Sequence, residues 1–225
     1  MAEPAPIPVG ASAHAETLQR DGCVLLRGVI PASWRDALRA EFDAGEKPNH
    51  QWPVPRGPDW RHSLLDLSPT VNEACRLPEL VAAIGALIGE NFFLAQVEGR
   101  EPLPGGGQQG LHRDLSSQRP GDTALAIVFL DDYGPANGAT RVVPGSHRRG
   151  TLADYDDATQ SLQLSGVAGD ALVFDADLVH AGSVNVTGAR RRSLLMTFFA
   201  EPLYAAHLKT AHLRSIRMAA AWFEP

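Results

Sequence analysis

The sequence predicts a mainly β protein with flanking helices, a jelly roll or barrel, and three observations carry that prediction. Between Asn91 and Ala200, short runs rich in β-branched and aromatic residues alternate with Gly, Pro and Asn punctuation, the pattern of consecutive antiparallel strands. Helical periodicity falls mainly before and after that region. With 225 residues, 44% of them hydrophobic and 20% charged, the chain has ample apolar material for one core. Sheets that close or stack, with helices outside, limit exposed edges and enclose an interior, so a ligand site within the barrel is expected.

The elements follow in order. "DGCVLLRGVIP", from Asp21, reads as a strand ending at Pro31. Trp34, Leu38 and Phe42 then fall at i, i+4 and i+8 of a helix, with Ser33 as its cap and Gly45 as its stop. "GEKPNHQWPVPRGPDW" carries too many prolines for regular structure and reads as a long surface loop, in which Trp52 and Trp60 form either part of a lid or a small satellite core. A second helix is expected from Pro78 to about Gly89, because Leu80, Ile84, Leu87 and Ile88 share a face. "NFFLAQVEGR", "TALAIVFLDD", "GATRVV", "DALVFDADLVHAGS" and "RRRSLLMTFFA" are the strands, and "YAAHLKTAHLRSIRMAAAWF" reads as a final helix. One domain over 1–225 is expected: a strand, helices and proline-rich loop over 17–90, the β core over 91–200, and a helical segment over 201–225.

A formal charge of −6 gives no general attraction to nucleic acid, and the three arginines Arg190 to Arg192 are too few for a polyanion-binding stripe. No apolar run approaches the eighteen or so residues of a membrane span, and "MAEPAPIPVGASAHAE" lacks the features of a signal peptide and reads as a short loose leader. Cys23 and Cys75 sit in apolar surroundings as small buried thiols. A cytoplasmic protein is expected, a monomer or small homo-oligomer, with no nucleic acid or membrane partner.

The chemistry-bearing stretch is "GLHRDLSS". On an extended chain His112 and Asp114 point to one side and Arg113 to the other, which places an imidazole beside a carboxylate. Among the remaining histidines, His14 lies in the leader, His50 and His62 flank the proline-rich loop, and His207 and His212 lie in the late helical stretch. His147 and His180 follow strand-like runs, and His180 ends "ALVFDADLVH" facing the interior. His112, Asp114 and His180 would supply two imidazoles and one carboxylate, the set that binds Fe(II) on one octahedral face and leaves three positions open. Zinc accepts the same donors, so the triad alone does not name the metal.

Arg191 lies eleven residues beyond His180, across a turn at "VTGA". On an antiparallel return strand Arg191 and Ser193 share the inner face, while Arg190 and Arg192 share the outer one. A guanidinium fork with a neighbouring hydroxyl suits a carboxylate. An acid held there could chelate the metal with its other end, the geometry that 2-oxoglutarate requires.

Together "LHRD", "RPGD", "FLDDYGPANGATRVVPGSH", "HAGSVN" and Arg191 resemble the phytanoyl-CoA dioxygenase family of Fe(II)- and 2-oxoglutarate-dependent oxygenases, from about Gly22 to Ala200. The resemblance implies a double-stranded β-helix, iron ligation by His112, Asp114 and His180, and a 2-oxoglutarate C5 carboxylate anchored by Arg191. It implies cosubstrate contacts from Gln109 and Thr140, and a small-molecule substrate oxidised with O2, most simply by hydroxylation. His147, in the crossing between the two halves of the β-helix, becomes structural or substrate-side. Asp114 also argues against halogenation, which needs a small residue there to admit halide. There are departures: many members carry a serine two residues after the distal histidine, where this chain has Gly182, with Ser183 one place later. The chain is also short for the family, which implies a more open pocket. A cupin-like isomerase or dioxygenase without 2-oxoglutarate is the alternative, although the stretch after Asp114 lacks the glutamate such sites carry. A non-catalytic binding module on the same fold is a third reading.

Overall fold

The structure, a computed structural model, describes residues 9–47, 56–61, 68–89, 91–114, 119–156, 158–210 and 221–223, with side chains from 14 to 210. Two antiparallel sheets face each other. The larger runs in the order β1 (Cys23–Leu26), β7 (Ala171–Asp175), β4 (Thr123–Phe129), β9 (Ser193–Ala200), β3 (Phe92–Arg100), β10 (Ala221–Phe223), and β2 (Trp60–Arg61) also pairs with β3. The smaller has the order β6 (Leu162–Gln163), β5 (Thr140–Val142), β8 (His180–Gly182). This is the expected helix-flanked jelly roll.

Strand register divides the large sheet into two faces. The rows Val97–Met196–Ala126–Val173 and Gly99–Leu194–Val128–Ala171 face outwards. There their apolar members pack under α2 (Arg35–Ala44), α3 (Pro69–Ala74) and α4 (Pro78–Ile88), through buried residues such as Phe42, Val71 and Ile84. The alternate rows, Glu98–Leu195–Ile127–Leu172 and Gln96–Thr197–Leu125–Phe174, face the interior. Leu125, Ile127, Leu172 and Phe174 meet Tyr133, Val142 and Leu164 from the side of the small sheet. β4 is covered on both faces, which is why "TALAIVF" is apolar throughout without alternation. The inward residues of β3 are instead Gln96, Glu98 and Arg100, so one end of the interior is apolar and the other polar.

Helix α4 runs as expected, with Pro78 in its first turn and Gly89 closing it at φ 71° in the left-handed region. Several expectations are corrected. The described part of the leader, from Val9 on, is a helix, α1 (Val9–Asp21). Ser33 lies inside a 3-10 turn and caps nothing, the first strand stops at Leu26, and α3, closed at its start by the Ser68 hydroxyl, was not foreseen. "DALVFDADLVH" is not one strand but β7 and β8, which belong to different sheets, so His180 begins a strand instead of ending one. Of the expected final helix, Tyr204–Thr210 form α5, residues 211–220 lie outside the described residues, and Ala221–Phe223 instead pair with β3 as a strand. Trp60 is half-buried at the start of β2, its ring approached by the guanidinium carbons of Arg56 at 4.8 Å and Arg100 at 5.4 Å. Trp52 lies outside the described residues.

Asp175 closes β7 with its side chain buried, accepting a hydrogen bond from Asp177 N–H at 2.8 Å. Burial, with the charges of Asp177 and Asp122 adding to it, pushes its carboxyl up from 3.8 to about 6. The native state therefore favours the protonated form, and its stability is lost as pH rises from the unfolded value through the folded one. At about 1.4 kcal/mol for each pH unit between the two, the burden above pH 7 is at most about 3 kcal/mol. Asp175→Asn keeps the acceptor and removes the charge. Urea unfolding should find the variant more stable than the parent by roughly 1–3 kcal/mol at pH 8, with the difference shrinking towards pH 4.

Candidate metal centre

His112 and His180 come together through backbone pairing of two short extended segments. The N–H of each donates to the carbonyl of the other at 3.0 Å, and Asp114 N–H donates to Ala176 O at 3.2 Å beyond them. His112 and Asp114 do not sit in a continuous strand, yet their side chains converge as the spacing predicted. Nε2 of His112 lies 3.5 Å from Asp114 Oδ1, and Nε2 of His180 lies 3.5 Å from Oδ2. One donor atom from each residue lies within 4.8 Å of the others.

The imidazole orientations are fixed from behind. His112 Nδ1 lies 2.9 Å from Gly110 O and His180 Nδ1 lies 2.9 Å from Leu178 O. A carbonyl only accepts, so both contacts put the proton on Nδ1 and leave both Nε2 lone pairs facing the common point. Phe174 packs edge-on against His180 at 5.0 Å. The hydrogen bond with Asp114 raises the pKa of His112, and burial lowers that of His180. Desolvation works against ionisation of Asp114, but the His112 hydrogen bond and the nearby charges of both imidazoles and Arg100 hold its carboxyl below the usual range. Two neutral-capable nitrogens and an ionised oxygen converging on one point fit a divalent metal and leave one side of its coordination sphere open.

Arg113 points away, as expected, and donates to Ser146 O at 2.9 Å, tying this segment to "PGSH". His147 lies apart from the triad. A Cβ on Gly22 would meet its ring at 2.4 Å, so it packs where β1 begins.

The three arginines divide sharply. Arg190 bonds Glu101 and Asp43, and Arg192 bonds Asp131 and Asp43. Arg192 was expected on a solvated outer face; it is buried, because three acids gather at that end of the sheet. Arg191 turns the other way and is 2% exposed. Its guanidinium lies over the Tyr133 ring at 4.4 Å, its Nε is buried without a hydrogen-bond partner, and burial lowers its pKa.

The remaining candidates are placed as follows. Gln109 Oε1 accepts from Arg100 at 2.7 Å and from Gly182 N–H at 3.1 Å. Thr140 is buried on β5, directly opposite Gly182 and on the same inward face as Val142. Ser193 donates to Arg100 O at 3.1 Å. Arg100 escaped the sequence reading. It also bonds Asp59 at 3.2 Å and Gly107 O at 3.2 Å, so it braces the chain leading into the metal segment. The signal for it was the period-two polar pattern Gln96, Glu98, Arg100 in an otherwise apolar strand.

The profile of the phytanoyl-CoA dioxygenase family matches residues 18–193. The chain belongs to that family. It is 33% identical over 214 residues to the dioxygenase FUM3 of Gibberella moniliformis, covering 81% of this chain and 69% of that one. It is 26% identical over 206 residues to the iron/alpha-ketoglutarate-dependent dioxygenase okaE of Penicillium ochrochloron, covering 81% and 68%. Among solved structures, the alpha-ketoglutarate-dependent carbocyclase SnoK from nogalamycin biosynthesis superposes with a TM-score of 0.74 at 17% identity, over 99% of this chain and all of that one. The fold is thus the double-stranded β-helix expected of the family.

His180→Ala should abolish retention of a divalent metal, read by elemental analysis after desalting. His147→Ala should retain about one equivalent. Equal metal content in the two variants would mean that the triad is not the binding site.

Proposed function

We propose that the protein is an Fe(II)- and 2-oxoglutarate-dependent oxygenase that hydroxylates a small molecule, consuming O2 and releasing succinate and CO2. One observation carries this reading: a buried guanidinium, flanked in sequence by two arginines that have acid partners, itself has no acceptor among the described residues. Burying an uncompensated cation costs several kcal/mol, and an incoming carboxylate offsets that cost. Family membership and the His112, Asp114 and His180 cluster support the same reading.

In this proposal His112, Asp114 and His180 hold the iron, each imidazole through the Nε2 that its Nδ1 contact directs. Arg191 takes the distal carboxylate of 2-oxoglutarate, while Gln109, fixed by Arg100 and Gly182, shapes the approach. Bound iron with 2-oxoglutarate supplies the oxidising power to break an unactivated C–H bond. The chain's share is register and exclusion of water, for which Leu125, Ile127 and Phe174 form the dry side of the interior. Asp114 occupies the place a halide would need. Nothing observed favours the cupin-like isomerase or the non-catalytic module.

Succinate formation from 2-oxoglutarate, dependent on Fe(II) and O2 and coupled to gain of one oxygen by a small molecule, is the decisive measurement. Arg191→Ala should weaken 2-oxoglutarate about 30- to 1000-fold, the loss of a charge-assisted pair worth roughly 2–4 kcal/mol. Arg190→Ala and Arg192→Ala should change it only a few fold, their cost falling on stability. Equal losses from all three would remove Arg191 as the anchor, and no succinate under any condition would remove the proposal.

A further inference from the structure

If Arg191 receives a carboxylate, the carboxylate has a second oxygen to satisfy, and the segment that follows His180 does not supply a hydroxyl for it. Pairing of Val142 with His180 and Thr140 with Gly182 puts residues 180 and 182 on the inward face. A side chain at 182 has no room, because a Cβ there would lie 2.8 Å from Gly107 O and 2.9 Å from Gln109 Oε1. Ser183 falls on the opposite face, where its hydroxyl donates to Gln163 Oε1 at 3.1 Å. Ser193 is committed to the Arg100 carbonyl.

Tyr133 is different. Its ring lies under the Arg191 guanidinium at 4.4 Å and stacks on Phe129 with centroids 3.8 Å apart and planes 3° from parallel. The residue is only 4% exposed, so the ring is locked between a cation above and an aromatic plane below. No hydrogen bond to its phenol is found among the described residues. That phenol is carried on the same ring that the Arg191 guanidinium covers.

We infer that the Tyr133 hydroxyl completes the carboxylate site, donating to the distal carboxylate of 2-oxoglutarate beside Arg191. It thereby takes the part for which position 182 has no room. The inference rests on the reading of the cosubstrate given above. The stack also explains how a flexible arginine is held ready: one face of its fork is covered by the Tyr133 ring, which leaves its N–H edge for the acid.

Tyr133→Phe keeps the ring and the stack and removes only the oxygen. Anaerobic calorimetry on Fe(II)-loaded protein, with 2-oxoglutarate and with 2-oxobutyrate, which has the same 2-oxo acid head but no distal carboxylate, separates the possibilities. Loss of one hydrogen bond to a charged group should weaken 2-oxoglutarate about 10- to 100-fold and leave 2-oxobutyrate within about twofold. Unchanged 2-oxoglutarate affinity would overturn the inference, and so would an equal loss for both acids, which marks a merely structural role. Wild-type protein that bound no 2-oxoglutarate would instead bring down the cosubstrate reading itself. Wild-type binding, lost in Arg191→Ala but intact in Tyr133→Phe, would remove Tyr133 alone.

Discussion

One reciprocal pair of backbone hydrogen bonds holds the site together. His112 and His180, 68 residues apart in the sequence, exchange both their amide contacts at 3.0 Å. A single such pair would not define a geometry in water. Here it is extended on both sides, by Gln109 N–H to Gly182 O at 3.0 Å and by Asp114 N–H to Ala176 O at 3.2 Å. The two imidazoles are therefore fixed relative to each other by main chain, with ring centroids 4.4 Å apart. Their Nδ1 contacts, also to main chain, fix the remaining rotation. A metal centre on these residues inherits its shape from the fold and asks little of side-chain flexibility.

The same economy governs the arginine end of the interior. Asp43 at the end of α2 bonds both Arg190 and Arg192, while Glu101 and Asp131 hold them from either side. With both neighbours drawn to one side, alternation sends Arg191 to the other. Exposed ion pairs contribute little to stability one at a time, but a connected set on a short stretch of backbone is effective at fixing direction. Helix α2, which carries none of the His112, Asp114 and His180 cluster, thus bears on the side chain that faces the interior.

Much of this was legible in the sequence wherever a local rule decides the outcome. The period of α4 and its Pro78 and Gly89 ends, the apolar run of β4, and the spacing of His112 and Asp114 are short-range signals. What stayed hidden depends on partners distant in sequence. "ALVFDADLVH" is apolar at both ends, so nothing local tells that it turns at Ala176 and passes from one sheet to the other. The burial of Arg192 depends on acids at 43 and 131, and the role of Arg100 on Asp59 and Gln109, which no window along the chain brings together. The residues Ala221–Phe223 read as helix by composition and are a strand because the edge of β3 was open to them.

The interior of the barrel is apolar where the small sheet covers it and polar along β3. The apolar packing and the polar inward row are therefore carried on different strands. Exchanges at Leu125, Ile127 or Phe174 disturb the packing of both sheets and are filtered by folding. Gln96 and Glu98 lie outside that packing, on the polar inward row of β3, where Glu98 pairs with Arg56. A lineage built on this scaffold can vary the polar row of one inner strand without renegotiating its core, and selection can act on the two separately.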